Sequence, residues 1–309
     1  MGRRPGVRIG PPIAPPPVHL ARDHERSVVA ALVRDGTWQR VRPGAYVDAA
    51  LLGGPDDART LALARMSALR RQLTCDAVVS HTSAALLWGL PVLRAPTTTH
   101  ITQRYSSRAG GPADLTRHRP AVGDDDVVAL HGLRVTSLER TVVDCARTES
   151  IRGGVVVADA ALHRGADVLR CHDLLTGMAG RRGVVRARTV LDLADDGAES
   201  AGESLARVAL LAAGAPPPQT QVAAPTHLGT YWADVGWPEA CVLAEYDGRG
   251  KYAGTPDAVL REKRREDALF DAGWRLLRLV AEDLRDPATL TRRLRRLFPA
   301  LTPRPALLR

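Results

Sequence analysis

Cysteine and lysine are scarce in this chain, and long apolar runs are missing. Only four of the 309 residues are cysteines, Cys75, Cys145, Cys171 and Cys241. Their separations contain no C-x-x-C pair, which argues against a zinc ribbon or finger, and they are too few for a disulfide scaffold. Such usage fits a reducing cytoplasm, the expected location. No run approaches the roughly 18 apolar residues that a bilayer span requires, so no membrane partner is expected. The opening MGRRPGVRIGPPIAPPPVHL starts with basic residues, but its prolines interrupt any apolar signal region. Residues 1–20 therefore read as a disordered arm. Lysine is confined to Lys251 and Lys263 among 43 basic residues.

Positive charge is what the chain has in excess. Its 43 Lys and Arg against 34 Asp and Glu give a formal charge of +9 and a pI near 10.1. That balance favours a polyanionic partner, with nucleic acid the first candidate and double-stranded DNA the expected kind. The length allows two or three domains, each with its own core.

Residues 21–50 contain a short amphipathic helix ending near Gly36, then two strands joined by Arg42-Pro43-Gly44. This is the outline of a recognition helix and wing, with Arg26, Arg34, Arg40 and Arg42 as candidate DNA contacts. Residues 51–150 alternate helical and strand-like stretches, as expected of a mixed α/β domain. In VVSHTSAALLWGLP, Ser80 reads as an N-cap, and His81 lacks a nucleophile or carboxylate at a useful spacing. Thr136 to Glu139 reads as a capping box opening the helix LERTVVDCAR. Residues 151–198 form a helical connector with a turn at 180–183, and His163, Cys171 and His172 match no zinc pattern.

Three segments, TWQRVRPGAYV, VVSHTSAALLWGLPV and HGLRVTSLERTVVDCAR, resemble the winged-helix and middle domains of AbiEi-type antitoxins. The resemblance covers about 120 residues. It implies promoter binding through the winged helix, repression of an operon and a toxin protein as partner. One departure lies upstream of the wing, where the proline-rich arm replaces a first helix.

From Ser200 the pattern is helix, three strands, helix, strand, helix. If Pro238-Glu239 is a two-residue turn, Asp234 faces Leu243, and Asp234, Glu245 and Asp247 project from one face. Asp234 and Glu245 are then diagonal neighbours at roughly 7–8 Å. Like charges this close repel unless a cation lies between them. Oxygen ligands of this kind suit Mg²⁺ or Mn²⁺, which can activate water and stabilise a phosphoryl transition state. Glu203 also completes a capping box with Ser200, and Asp247-Gly248 also suits a turn. Asp234 and Glu245 stand inside apolar strands, where a lone charge is costly.

The stretches EYDGRGKY and REKRREDALFDAGWRLLRL resemble the very-short-patch repair endonucleases of the PD-(D/E)XK superfamily. The resemblance implies a restriction-endonuclease-like αβββαβ core over residues 199–309. It makes Asp234 and Glu245 metal ligands and Glu203 the helix carboxylate. Asp247 takes a position often held by lysine, and Lys251 or Lys263 supplies the missing cation. Arg292, Arg293, Arg295 and Arg296 place positive charge on the last helix, suited to a phosphate backbone. The expected class is thus α/β with an α+β N-terminal half, and the expected activity is a metal-dependent endonuclease. The alternative is a non-enzymatic DNA-binding regulator or antitoxin that keeps only the nuclease fold.

Overall fold

The computed structural model describes residues 11–73, 77–103, 112–119, 122–248, 256–298 and 300–308. Among these residues the chain is mixed α/β, with ten α-helices and three sheets. No helix among the described residues is long and apolar enough to cross a membrane. The chain divides into two compact units, Gly10–Thr148 with Asp167–Ala179, and Glu149–Ala166 with Gly180–Arg309. Residues 151–198, expected as one connector, are therefore shared between them.

The first unit opens with β1 (His19–Leu20), α1 (Arg26–Arg34), β2 (Trp38–Arg42) and β3 (Ala45–Asp48). These strands form a sheet of order β1-β3-β2, and the β2–β3 hairpin turns at Gly44, whose φ of 69° suits glycine. Residues 11–20, expected within a disordered arm, are instead packed. Ile13 N–H donates to Leu87 O at 2.9 Å, Val18 and Leu20 are buried, and β1 pairs with β3. The prolines keep this segment extended, and its apolar residues bury against β3 and α2 (Asp57–Gln72).

A five-stranded sheet follows, built from β4 (Val78–Val79), β5 (Thr99–Thr102), β6 (Leu115–His118), β7 (Val127–Leu130) and β8 (Leu133–Thr136). Its order is β6-β5-β4-β8-β7, with β5–β6 and β4–β8 parallel. The helix α3 (His81–Leu87) leaves β4 directly, and α4 (Leu138–Thr148) leaves β8. The α4 cap is Ser137, whose Oγ accepts from Arg140 N–H at 3.2 Å, one residue later than the expected box. Next come α5 (Ile151–His163) in the second unit, α6 (Val168–Thr176) back in the first and α7 (Val184–Leu193) in the second.

The second unit continues with α8 (Ala201–Ala212), β9 (Gln219–Thr226), β10 (Gly229–Trp237), β11 (Val242–Tyr246), α9 (Pro256–Asp271), β12 (Arg275–Leu279) and α10 (Pro287–Arg295). The sheet order is β12-β11-β10-β9, antiparallel from β9 to β11, with β12 parallel to β11. One sheet face packs on α8 and α10 through Leu210, Trp237, Val242, Ala244, Leu279 and Leu290. The other meets α9 through Val222, Ala233, Leu243 and Leu269. A buried bidentate pair ties α5 to α8, with Arg207 Nη2 at 2.9 and 2.8 Å from the two Asp159 oxygens.

Candidate functional site

The β10–β11 link corrects the expected register. Pro238–Ala240 forms a 3₁₀ turn and Cys241 is left-handed, so the loop is longer than two residues. Leu243 consequently faces Gly236, and Val235 faces Ala244. The shift is two residues, an even number, so β11 keeps its expected faces. Leu243 packs towards α9, and Glu245 points the same way.

Asp234 is the exception to simple alternation. Ala233 packs in the α9 core and Val235 in the α8 core, which adjacent odd positions of a regular strand cannot do. The break falls at Asp234, beside Gln221 on β9, whose φ is 50°. Such irregularities re-aim side chains. Asp234 Oδ2 accepts the Tyr246 N–H at 2.8 Å. Because that amide is one peptide bond from Glu245 Cα, the Asp234 carboxylate lies within about 5 Å of the Glu245 backbone.

Glu245 and Asp247 are both buried. Their partners are arginines, not the expected lysines. Arg265 of α9 takes both Glu245 oxygens, one at 3.1 Å and one more closely, and Arg278 of β12 donates to Asp247 Oδ2 at 3.0 Å. Glu262 and Glu266 complete the network, with Glu262 bonding both arginines and Glu266 lying 2.7 Å from Arg278. Four carboxylates thus face two guanidiniums. Burial works against the charged Arg265, but its bonds to Glu245 and Glu262 prevail and raise its pKa. Arg278 is likewise raised by Glu262 and Asp247 against burial.

The other expected members divide. Glu203 completes its capping box, accepting from Ser200 Oγ at 2.9 Å and Glu199 N–H at 2.8 Å. Lys263 is exposed on α9, and Lys251 lies outside the described residues. For a divalent cation the donors fit in type and charge, but Asp234, Glu245 and Asp247 do not bring one oxygen each to within 4.8 Å of one another. In the arrangement described, the Arg265 guanidinium occupies both Glu245 oxygens.

The candidate DNA-contacting arginines also divide. Arg26, Arg34 and Arg40 are exposed, as are Arg292, Arg295 and Arg296. Arg42 is not available to phosphate, because a bulge between Arg40 and Arg42 turns it inward onto Asp114 at 2.9 Å. Arg293 is a tether, donating to Asp283 Oδ1 and Arg278 O, each at 2.6 Å.

A second cluster, in the first unit, had no signature in the sequence. His81, His100 and His118 bring one ligand atom each to within 4.8 Å of one another, the only such trio of His, Cys or carboxylate groups among the described residues. His100 Nδ1 and His118 Nε2 are 3.1 Å apart. Ser80 occupies the N-cap position of α3, but its Oγ bonds His81 Nδ1 and Thr102 Oγ1, each at 2.9 Å, instead of capping the helix. Asp144 of α4, fully buried, places Oδ2 4.0 Å from His81 Nδ1. Burial pushes His81 and His118 down to about 3 and lowers His100, so all three rings are neutral at physiological pH. The carboxylate that His81 lacks locally comes from 63 residues further along, where no spacing rule applies.

No family model matches the chain. It is similar to two curated relatives, uncharacterized proteins from two strains of Mycobacterium tuberculosis, each 35% identical over 174 residues. The match covers 54% of this chain and 62% of each relative, so the chain spans less than two thirds of the relatives' length.

Proposed function

We propose that residues 199–309 form a phosphodiesterase domain of the PD-(D/E)XK type acting on double-stranded DNA, attached to winged-helix-like and AbiEi-like regions. The observation that carries this reading is the convergence of Asp234 and Glu245. A strand irregularity aims Asp234 at the Glu245–Tyr246 peptide, while α8 and α9 cover opposite faces of the mixed sheet. Asp234, Glu245 and Asp247 are the residues that would hold Mg²⁺ or Mn²⁺, which would supply a Lewis acid and an activated water. The chain's own residues hold the frame. Arg265 and Arg278 fix the carboxylates and offer planar donors that match phosphate oxygens, and Arg292, Arg295 and Arg296 add sequence-independent attraction to the backbone.

The test is incubation of the full chain with supercoiled plasmid and Mg²⁺ or Mn²⁺. Wild type should nick, whereas Asp234→Ala and Glu245→Ala should not. Equal nicking by all three sinks the assignment, as does no nicking on varied substrates. A second reading, a DNA-binding regulator or antitoxin without cleavage, is favoured by the arginine that occupies both Glu245 oxygens. It predicts salt-dependent DNA binding with the plasmid left intact.

A further inference from the structure

The histidine cluster belongs to the first compact unit and the carboxylate site to the second. Three elements supply its rings: His81 opens α3, His100 sits on β5 and His118 ends β6. The parallel β5–β6 register sets His118 opposite Thr102, and β5 passes beside Ser80, whose N–H donates to His100 O at 3.0 Å. His81 holds a φ of 54°, an uncommon backbone state for a residue other than glycine, and its ring lies on His118 with centroids 3.5 Å apart. The strand-to-helix turn keeps this conformation while Ser80, His81, Thr82 and Ser83 are all buried.

We propose that His81, His100 and His118 bind one transition-metal dication of the zinc class. Nitrogen ligands at 2.0–2.1 Å around a tetrahedral ion stand about 3.3 Å apart, close to the 3.1 Å between His100 Nδ1 and His118 Nε2. In the absence of a metal that contact needs a proton on one of the two nitrogens, and binding moves it to the other nitrogen of the same ring. Imidazole selects Zn²⁺ or Co²⁺ over Mg²⁺, which prefers oxygen. Parallel stacked rings do not aim their lone pairs at one point, so binding turns the His81 ring out of its stack on His118.

Asp144 is the positioning residue for that turn. Its Oδ2 accepts no hydrogen bond among the described residues and lies on the His81 Nδ1 side, where outer carboxylates orient metal-bound imidazoles. Its other oxygen accepts from Arg140 Nε at 3.1 Å, and Asp126 lies 3.5 Å from Arg140, so that guanidinium is balanced by two carboxylates. Three imidazole ligands leave a fourth position for water or another ligand.

The experiment titrates Co²⁺ into the metal-stripped full chain and reads visible absorption. One equivalent should bind with the intense bands of a four- or five-coordinate ion, distinct from the weak absorption of any six-coordinate Co²⁺ on carboxylates. His100→Asn and His118→Asn should each weaken binding by more than the roughly 10- to 100-fold expected for Asp144→Asn. Asp234→Asn and Glu245→Gln should leave those intense bands unchanged, whatever they do to binding elsewhere. Independently of any variant, Zn²⁺ added to the unmodified chain should shift the imidazole ¹⁵N resonances of three of the nine histidines. The proposal is overturned if no Co²⁺ binds, if the two histidine variants bind like wild type, or if the imidazole resonances stay in place.

Discussion

Replacing Arg265 with methionine removes the cation that neutralises Glu245 while keeping an aliphatic side chain against the sheet. Glu245 is only 8% exposed. Loss of one partner from a buried ion pair typically costs about 3–5 kcal/mol, because the remaining charge stays desolvated. Arg265 keeps 19% of its side chain in solvent and its second partner, Glu262, keeps 42%, so screening reduces the figure to about 2–3 kcal/mol. For a unit of this size each kcal/mol moves the melting temperature by about 2–4 °C, giving a fall of roughly 5–10 °C. Adding Glu245→Gln to Arg265→Met should recover most of the loss, since a neutral amide needs no counter-charge. Thermal melts of the two single variants and the double variant give the coupling directly. A second readout is Mn²⁺, which should raise the melting temperature of Arg265→Met more than that of wild type, because the competing guanidinium is gone. A melting temperature within 1 °C of wild type (about 0.3–0.5 kcal/mol) would show that the pair contributes little and Glu245 is solvated. Absence of any Mn²⁺ effect in Arg265→Met would refute the cation site.

Four further outcomes follow from the same geometry. Arg207→Ala strands the buried Asp159 carboxylate and should cost about 3–5 kcal/mol in urea unfolding, whereas neighbouring exposed arginines such as Arg188 should tolerate alanine. Gly202→Ala would set a methyl 2.1 Å from the Tyr246 ring, so an overpacking loss of about 1–3 kcal/mol is expected, together with reduced nicking, because Tyr246 N–H holds Asp234. Arg40→Ala should reduce the slope of DNA affinity against salt by about one counterion, whereas Arg42→Ala should lower the melting temperature instead, because Arg42 is buried on Asp114. Asp286 caps α10, and the Thr289 hydroxyl and amide with the Ala288 amide hold its carboxyl below the ordinary range. A depressed folded pKa adds stability above the unfolded value that is lost as pH falls through the folded one. The melting difference between wild type and Asp286→Ala should therefore be largest at neutral pH and close in acid; a constant difference would show that the cap does not depend on charge.

Capping was legible only in part: Ser80 Oγ bonds His81 and Thr102 instead of capping α3, and the α4 cap falls on Ser137 in place of Thr136. Ser200 and Glu203 form the expected box, and the hairpin of β2 and β3 turns at Gly44, as its Pro-Gly pair suggests. The register of β10 on β11 differs from the expected one by two residues, because the Pro238–Ala240 turn and left-handed Cys241 have no strong sequence signal. The inward turn of Arg42 depends on a bulge and on Asp114, 72 residues away.

Composition and periodicity determined the element order, the excess of positive charge and the alternating face of Glu245 and Asp247, all of which depend on neighbours a few residues apart. Tertiary structure alone decided which cation meets each carboxylate and which histidines meet one another. Arg265 and Arg278 reach Glu245 and Asp247 only because α9 and β12 pack beside β11. His81, His100, His118 and Asp144 converge only when β4, β5 and β6 have paired and α4 has packed on α3. Contacts of that range depend on chain closure over tens of residues, and a one-dimensional pattern carries no record of it.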